Sequence, residues 1–299
     1  MKNAFSGVII LLLIVSISCS RDAGKKEFKP SFTTFTTTSE GTPVKKEKSE
    51  IFYGTLNPVE VCSIFNRLGA HYDNSIPNPI SNGDNYLSSS KAALNTGIYG
   101  VDFGYLKLFG AGQDLMNYVI TIRELSHKLG IPDEYLSSAV KIMQGNIAEN
   151  DSLLSYMNTA FMKMENNLRE SGRESTAGLL VIGGWVEAMY ITTQLVYDPA
   201  NPDPEVVQKI AGQKFALNTL LSFIKNYYDD PVVVYYSKKL KYLNNYFDSF
   251  NIYFKKGDLE IDTVKQVLRA SGTEMDVTVG TLNEIRDYVY KLRMEMVGV

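Results

Sequence analysis

An all-α fold, a single bundle of about eight or nine helices, is what this 299-residue sequence predicts. Three observations predict it. Apolar residues recur at steps of three and four through most of the chain, the spacing of one face of a helix. Glycine, proline and capping residues punctuate those runs in the order expected at helix ends. Strand signals are scarce, with room for one isolated strand near Ile51–Tyr53, and no fixed-period repeat suggests a solenoid.

The first segment, MKNAFSGVIILLLIVSISCSRD, has the layout of a secretory signal peptide. Lys2 precedes an apolar run from Val8 to Ile17, and small Ser18 stands just before Cys19. That run is too short to span a bilayer, which needs about 20 apolar residues. Small–Cys at its end resembles the lipobox of bacterial lipoproteins, with Ser16 where that pattern prefers leucine. The expectation is a signal over residues 1–18, lipid attachment at Cys19, and a membrane partner held through the lipid. The alternative is an ordinary signal peptide with an accidental cysteine. Lipid anchorage in the cell envelope is expected at the outer membrane in preference to the inner, with the membrane face left open.

Residues 19–50 are rich in Ser, Thr, Lys, Glu, Pro and Gly and show no apolar period. Such a segment buries too little surface to offset its ordering entropy and reads as a tether. Phe28, Phe32 and Phe35 are unusual in a spacer; docking on the domain and simple scatter are the two accounts of them. The helical domain is then expected over residues 51–299. Cys62 is left alone once Cys19 is lipidated, which excludes an internal disulfide and favours a buried, inert thiol.

Within that domain, KAALNTGIYGVDFGYLKLFG places Ala93, Gly97, Gly100 and Gly104 on one helical stripe. Gln113–Leu129 turns Leu115, Val119, Ile122 and Leu129 to one side, and Gly130 and Pro132 end it. Asn150 or Asp151 is placed to cap a helix carrying Leu154, Met157, Phe161, Met164 and Leu168, which Gly172 closes. Asp203–Pro204 and Asp230–Pro231 are N-caps with proline at the first helical position. They open helices with Val207, Ile210, Leu217, Leu221 and Ile224 inward, then Val232, Tyr236, Leu240, Leu243, Phe247 and Phe250. Thr281–Glu284 reads as a capping box before Ile285, Val289, Leu292 and Met296.

One stretch stands apart: GRESTAGLLVIGGWVEAMYITTQL, Gly172 to Leu195, with four glycines and the only tryptophan. As a membrane span it is short, since the apolar run Ala177–Ile191 holds Glu187. As a phosphate loop it lacks the lysine and hydroxyl residue, having Gly184 and Trp185 there. A buried helix remains. Ala177, Val181, Gly184, Ala188, Ile191 and Leu195 share a stripe, predicted to cross the Lys91–Gly110 helix glycine to glycine. A second line, Thr176, Gly183, Glu187 and Gln194 with Tyr190 beside it, forms a narrow polar strip. Two accounts of it stand: polar groups satisfied by neighbouring helices, or a ligand-facing line with Glu187 at its centre. Asp102 has the same standing on the other glycine helix.

The formal charge is −3, or −4 once Lys2 is lost, with no basic stripe, so a nucleic-acid partner is not expected. His71 and His127 are isolated, and no metal-ligand spacing appears, so neither metal nor cofactor is expected. The 19 tyrosines cluster in NYYDDPVVVYYSKKLKYLNNYF. Aromatics so spaced are core with a wet hydroxyl edge, or line a groove for sugar or peptide.

The blocks GIYGVDFGY, GRESTAGLLVIGGWVEAMYI and LNEIRDYVYKLR together resemble uncharacterised lipoproteins of Gram-negative bacteria. The resemblance implies an all-helical periplasmic or surface lipoprotein and carries no catalytic residues with it. The function expected is therefore a lipid-anchored binding or structural module. The alternatives are an envelope hydrolase using Glu187 or Asp102 as general base, or a helical domain sensing a small-molecule, glycan or peptide ligand. An enzyme should show Glu187 at the wall of a solvent-connected pocket, facing a second polar group, and a module should show it paired internally or on an open surface.

Overall fold

Helix ends fall where local chemistry puts them. The computed structural model describes residues 72–144, 152–254, 259–262, 267–270 and 273–298. Cys19, the tether, Ile51–Tyr53, Cys62, His71, Asn150 and Asp151 lie outside the described residues. Among those described, eight α-helices follow one another: α1 Ser89–Leu108, α2 Gly112–Lys128, α3 Glu134–Gln144, α4 Leu153–Glu170, α5 Glu174–Ile191, α6 Pro204–Ile224, α7 Pro231–Asp248 and α8 Val279–Val297. The fold is all-α.

Asp203 Oδ1 accepts from the Glu205 and Val206 amides, and Asp230 Oδ1 accepts from those of Val232 and Val233, so both expected Asp–Pro caps form. Gly130 and Gly172 take positive φ of 61° and 73°. Each sits just past a helix, where the reversed turn lets the next amide reach back: Ile131 to Ser126 O, Arg173 to Leu168 O. The last cap differs from expectation. Thr278, not Thr281, accepts from the Thr281 amide, and α8 begins at Val279. A threonine one turn earlier does the same work, so the box signal was displaced by three residues.

The buried faces largely follow the apolar periods. Ile285, Val289, Leu292 and Met296 are all in the core, as are Leu240, Leu243 and Phe247. In α4 Leu153, Met157, Ala160, Met164 and Leu168 are buried, while Leu154 and Phe161 are only half-buried. Four short strands occur over residues 252–275, where the periodicity predicts none. Strands β1 (Ile252–Phe254) and β4 (Thr273–Met275) pair antiparallel, with Ile252 opposite Met275. Strands β2 (Leu259–Asp262) and β3 (Val267–Ala270) pair within them, with Leu259 opposite Ala270. Segments of three or four residues are too short for a period to declare itself.

Helix α5 is the centre of the bundle, touching α1, α4, α6, α7 and α8. With its continuation to Val196 it is long and apolar enough to cross a membrane, yet 78 % of its apolar window is buried inside this fold. The expected crossing with α1 forms, at a shifted seam. A Cβ on Gly97 would overlap the Leu180 carbonyl and come within 2.7 Å of the Gly184 amide nitrogen. One on Gly183 would overlap the Leu94 carbonyl. Gly183, read as part of the polar strip, therefore belongs to the backbone seam. Gly100 faces α4 instead, where a Cβ would lie 2.8 Å from Phe161 Cε1. The seam matters because it sets the α1 and α5 side chains just beyond it into direct contact.

Candidate functional site

One turn past the seam, α5 presents Glu187 and α1 presents Asp102, both fully buried. The third member comes from α8. Arg293 donates from Nε to Glu187 Oε2 at 2.9 Å and from Nη2 to Oε1 at 3.0 Å, a two-pronged pair. Nη2 also reaches the Ile76 carbonyl at 3.1 Å, and the guanidinium lies 4.5 Å from the Tyr190 ring centroid. Side-chain exposure is 4 % for Arg293 and 0 % for Glu187. Burial pulls the arginine's pKa down, but the charge and hydrogen bonds of Glu187 outweigh it and hold the guanidinium charged.

Asp102 is the third charge-bearing group. Its Oδ2 accepts the Asn78 amide at 3.0 Å, while Oδ1 is buried and accepts from no partner among the described residues. Burial first, and the neighbouring Glu187 charge second, push this carboxyl well above the ordinary aspartate range. Arg293 and the Asn78 amide pull the other way without cancelling the effect.

Around this core the segment 72–88 lies as a strap tied by buried polar groups. Asn78 Nδ2 donates to Tyr86 Oη at 3.0 Å and to Asn95 Oδ1 at 3.2 Å. Tyr118 donates to the Asn78 carbonyl and Tyr99 to that of Pro79, each at 2.9 Å. The last carbonyls of α8, orphaned by helix geometry, are taken in turn. Lys91 Nζ reaches Gly298 O at 2.7 Å, Asn95 Nδ2 reaches Met296 O at 3.2 Å, and Tyr86 reaches Val297 O at 3.1 Å. Strap, α1, α5 and α8 are thereby joined through one polar network.

The structure brings together Glu187, Tyr190 and Asp102 of the sequence-predicted site residues. Gln194 extends the line: after α5 a π turn, Thr192–Val196, lets its Nε2 reach the Arg286 carbonyl on α8 at 3.1 Å. Thr176 does not join. It is partly exposed near the start of α5, eleven residues and roughly 16 Å of helix from Glu187. Sequence reasoning missed Arg293 and Asn78. The signal for Arg293 was present, an arginine between buried Leu292 and Met296 on the apolar side of α8, but such positions commonly bear a solvated charge.

The chemistry is that of closure. Both Glu187 oxygens accept from Arg293, and both side chains are buried. Among the described residues no group of three or more His, Cys, Asp or Glu side chains gathers as a metal site requires.

The surface offers a different arrangement on α7 and α8. Tyr242, 54 % exposed, stacks on Tyr288 at 5.1 Å with planes 28° apart, and Tyr246 meets Tyr242 edge-on at 5.7 Å. Lys239 lies 5.2 Å from the centroid of exposed Tyr235 and pairs with Glu295 at 3.0 Å. By contrast Tyr236, from the same tyrosine-rich stretch, is buried, and burial pushes its hydroxyl up to about 12. That stretch is thus core on one side of α7 and wet aromatic surface on the other. No protein-family model, curated protein or solved structure matches the chain.

Proposed function

We propose that the protein is an exported lipoprotein, anchored to the cell envelope through Cys19, whose helical domain serves as a non-catalytic binding or structural module. The single observation that carries the domain's reading is the closed Glu187–Arg293 pair. A general base must reach the proton it abstracts, and here the best-placed carboxylate spends both oxygens on an internal guanidinium. The polar strip acts as a structural tie, which leaves the outer surface as the place for a partner. Support for the anchor is the Ser18–Cys19 pair at the end of the apolar run Val8–Ile17.

The tyrosine face of α7 and α8 is the surface we assign to that partner. Stacked Tyr242 and Tyr288 offer an aromatic plane, and hydroxyls with the Lys239–Glu295 pair supply hydrogen-bonding groups around it. That combination suits the apolar face and hydroxyl rim of a sugar ring, so an envelope glycan is the ligand class chosen.

Two separate measurements test the two halves. Radiolabelled palmitate should enter the wild-type chain and not Cys19→Ala; equal labelling of both would remove the anchor. Peptidoglycan-derived glycans should raise the melting temperature of the full chain, and Tyr242→Ala with Tyr288→Ala should abolish the shift. No shift with glycans, or a shift with peptides or small metabolites instead, would replace the ligand class. Esterase or glycosidase turnover lost in Glu187→Gln, with folding retained, would restore the hydrolase.

A further inference from the structure

Three groups that can bear charge meet in the buried junction of α1, α5 and α8, and their charges do not balance if all are ionised. Arg293 contributes one positive charge, Glu187 and Asp102 two negative ones. Glu187 must be the carboxylate, because both its oxygens accept from the guanidinium at 2.9 and 3.0 Å. Asp102, fully buried as Glu187 is, lies near enough for the Glu187 charge to push its carboxyl further up. Two oxygens that both accept cannot bond without a proton between them. The remaining Asp102 oxygen, Oδ1, is buried and accepts from nothing described, as an O–H donor would be. Oδ2 meanwhile accepts from the Asn78 amide, as the carbonyl oxygen of an acid would.

We infer that Asp102 is held in the folded protein as the neutral carboxylic acid, its Oδ1–H donating to Glu187, so that the core keeps one proton that the unfolded chain releases at neutral pH. The other groups facing Asp102 agree with this. From α1 come Tyr99 and Tyr105, from α2 Tyr118, and from α5 Tyr190; all have hydroxyls pushed up chiefly by burial, with Asp102 adding to it. From the strap comes only the Asn78 amide among the described groups, and from α8 only Arg293. None of the tyrosines supplies a second positive charge. The proton therefore completes a latch in which the strap, through Asn78, and α8, through Arg293, are held to α1 and α5. Alkaline loss of the proton would set two carboxylates against one guanidinium and loosen both.

The sign follows from linkage. A carboxyl whose folded form binds its proton more tightly than the unfolded one destabilises the fold progressively once pH exceeds the unfolded value of about 3.9. Urea unfolding of the full chain across pH 4.5–7.5 should show the wild-type folding constant falling about tenfold per pH unit relative to Asp102→Asn. Asparagine keeps a donor toward Glu187 and an acceptor for Asn78 but has no proton to lose. Parallel curves for the two proteins would overturn the inference. Infrared spectra give an answer that needs no variant. Native wild-type protein at neutral pH should show a protonated carboxyl C=O band that moves when aspartate is ¹³C-labelled. Asp73, Asp133 and Asp276 are all held below their ordinary range, so they contribute no such band. Its absence would sink the proposal even if Asp102→Asn fails to fold.

Discussion

Arg293 meets Glu187 at 2.9 Å, and Arg123 meets Asp133 at 2.7 Å, yet the two pairs have almost nothing else in common. The first is enclosed, with side chains 4 % and 0 % exposed; the second stands in solvent at 50 % and 43 %. Distance does not distinguish them. Solvent does, because removing one partner of a buried pair strands an unpaired charge, whereas water and salt replace a lost partner at the surface. The surface cluster also includes His127, which sits against the same Asp133 carboxylate near the C-terminus of α2. Its bonds to Arg123 and His127 hold Asp133 down to about 2, the reverse of what burial does to Asp102. One fold thus uses carboxylates in two ways: as replaceable surface ties and as a proton-holding core junction.

The sharpest way to break the comparison is Arg293→Met. It leaves Glu187 charged and buried without a partner, and unfolding by urea should show a loss of about 3–5 kcal/mol. A loss below ~1 kcal/mol would mean that water enters the junction. Next comes Gly97→Ala, which attacks the seam that sets Asp102 beside Glu187. The added methyl must displace Leu180 and Gly184 backbone, and overpacking of this kind costs about 1–3 kcal/mol. Its melting temperature should fall well below that of Ala substitution at Gly212, where a Cβ meets nothing within 4 Å; equal effects would show that backbone contact is not what the glycine permits.

Smaller still is the combined Glu187→Met, Arg293→Met variant. Removing both charges together should recover most of the single-variant loss, since matched apolar replacement of a buried pair is often neutral. A double variant as damaged as the single one would place the value of the site in its hydrogen bonds to Ile76 and the strap. The least effect is expected from Asp133→Asn, a small fall in melting temperature at neutral pH, because solvent screens a pair whose side chains are 50 % and 43 % exposed. For wild type, carboxyl NMR should place the Asp133 midpoint at about 2. The stabilisation linked to that low value is present above the unfolded aspartate value and is lost as pH falls through about 2.

Local features were legible from the sequence. Asp203 and Asp230 cap their own helices within three residues, and Gly130 and Gly172 reverse the chain where they stand. The apolar period of α7 and α8 named their buried faces. Less was legible in α5, because Ala177–Ile191 is covered on nearly every side and offers no solvent edge for a period to report. Gly183 and Glu187, four residues apart, were read together as one polar strip. In the fold Gly183 meets α1 backbone while Glu187 meets an arginine 106 residues further along.

The sequence by itself determined the helices, the Asp203 and Asp230 caps and the presence of a carboxylate inside an apolar helix, all of which follow from contacts within a turn or two. Only the tertiary structure decided what that carboxylate faces. The closing distance between α1 and α5 is set by glycines on both, and the charge that satisfies Glu187 arrives from the far end of the chain. A charge buried with a partner and a charge buried without one look the same in sequence, because the difference lies in the third helix that excludes water from them.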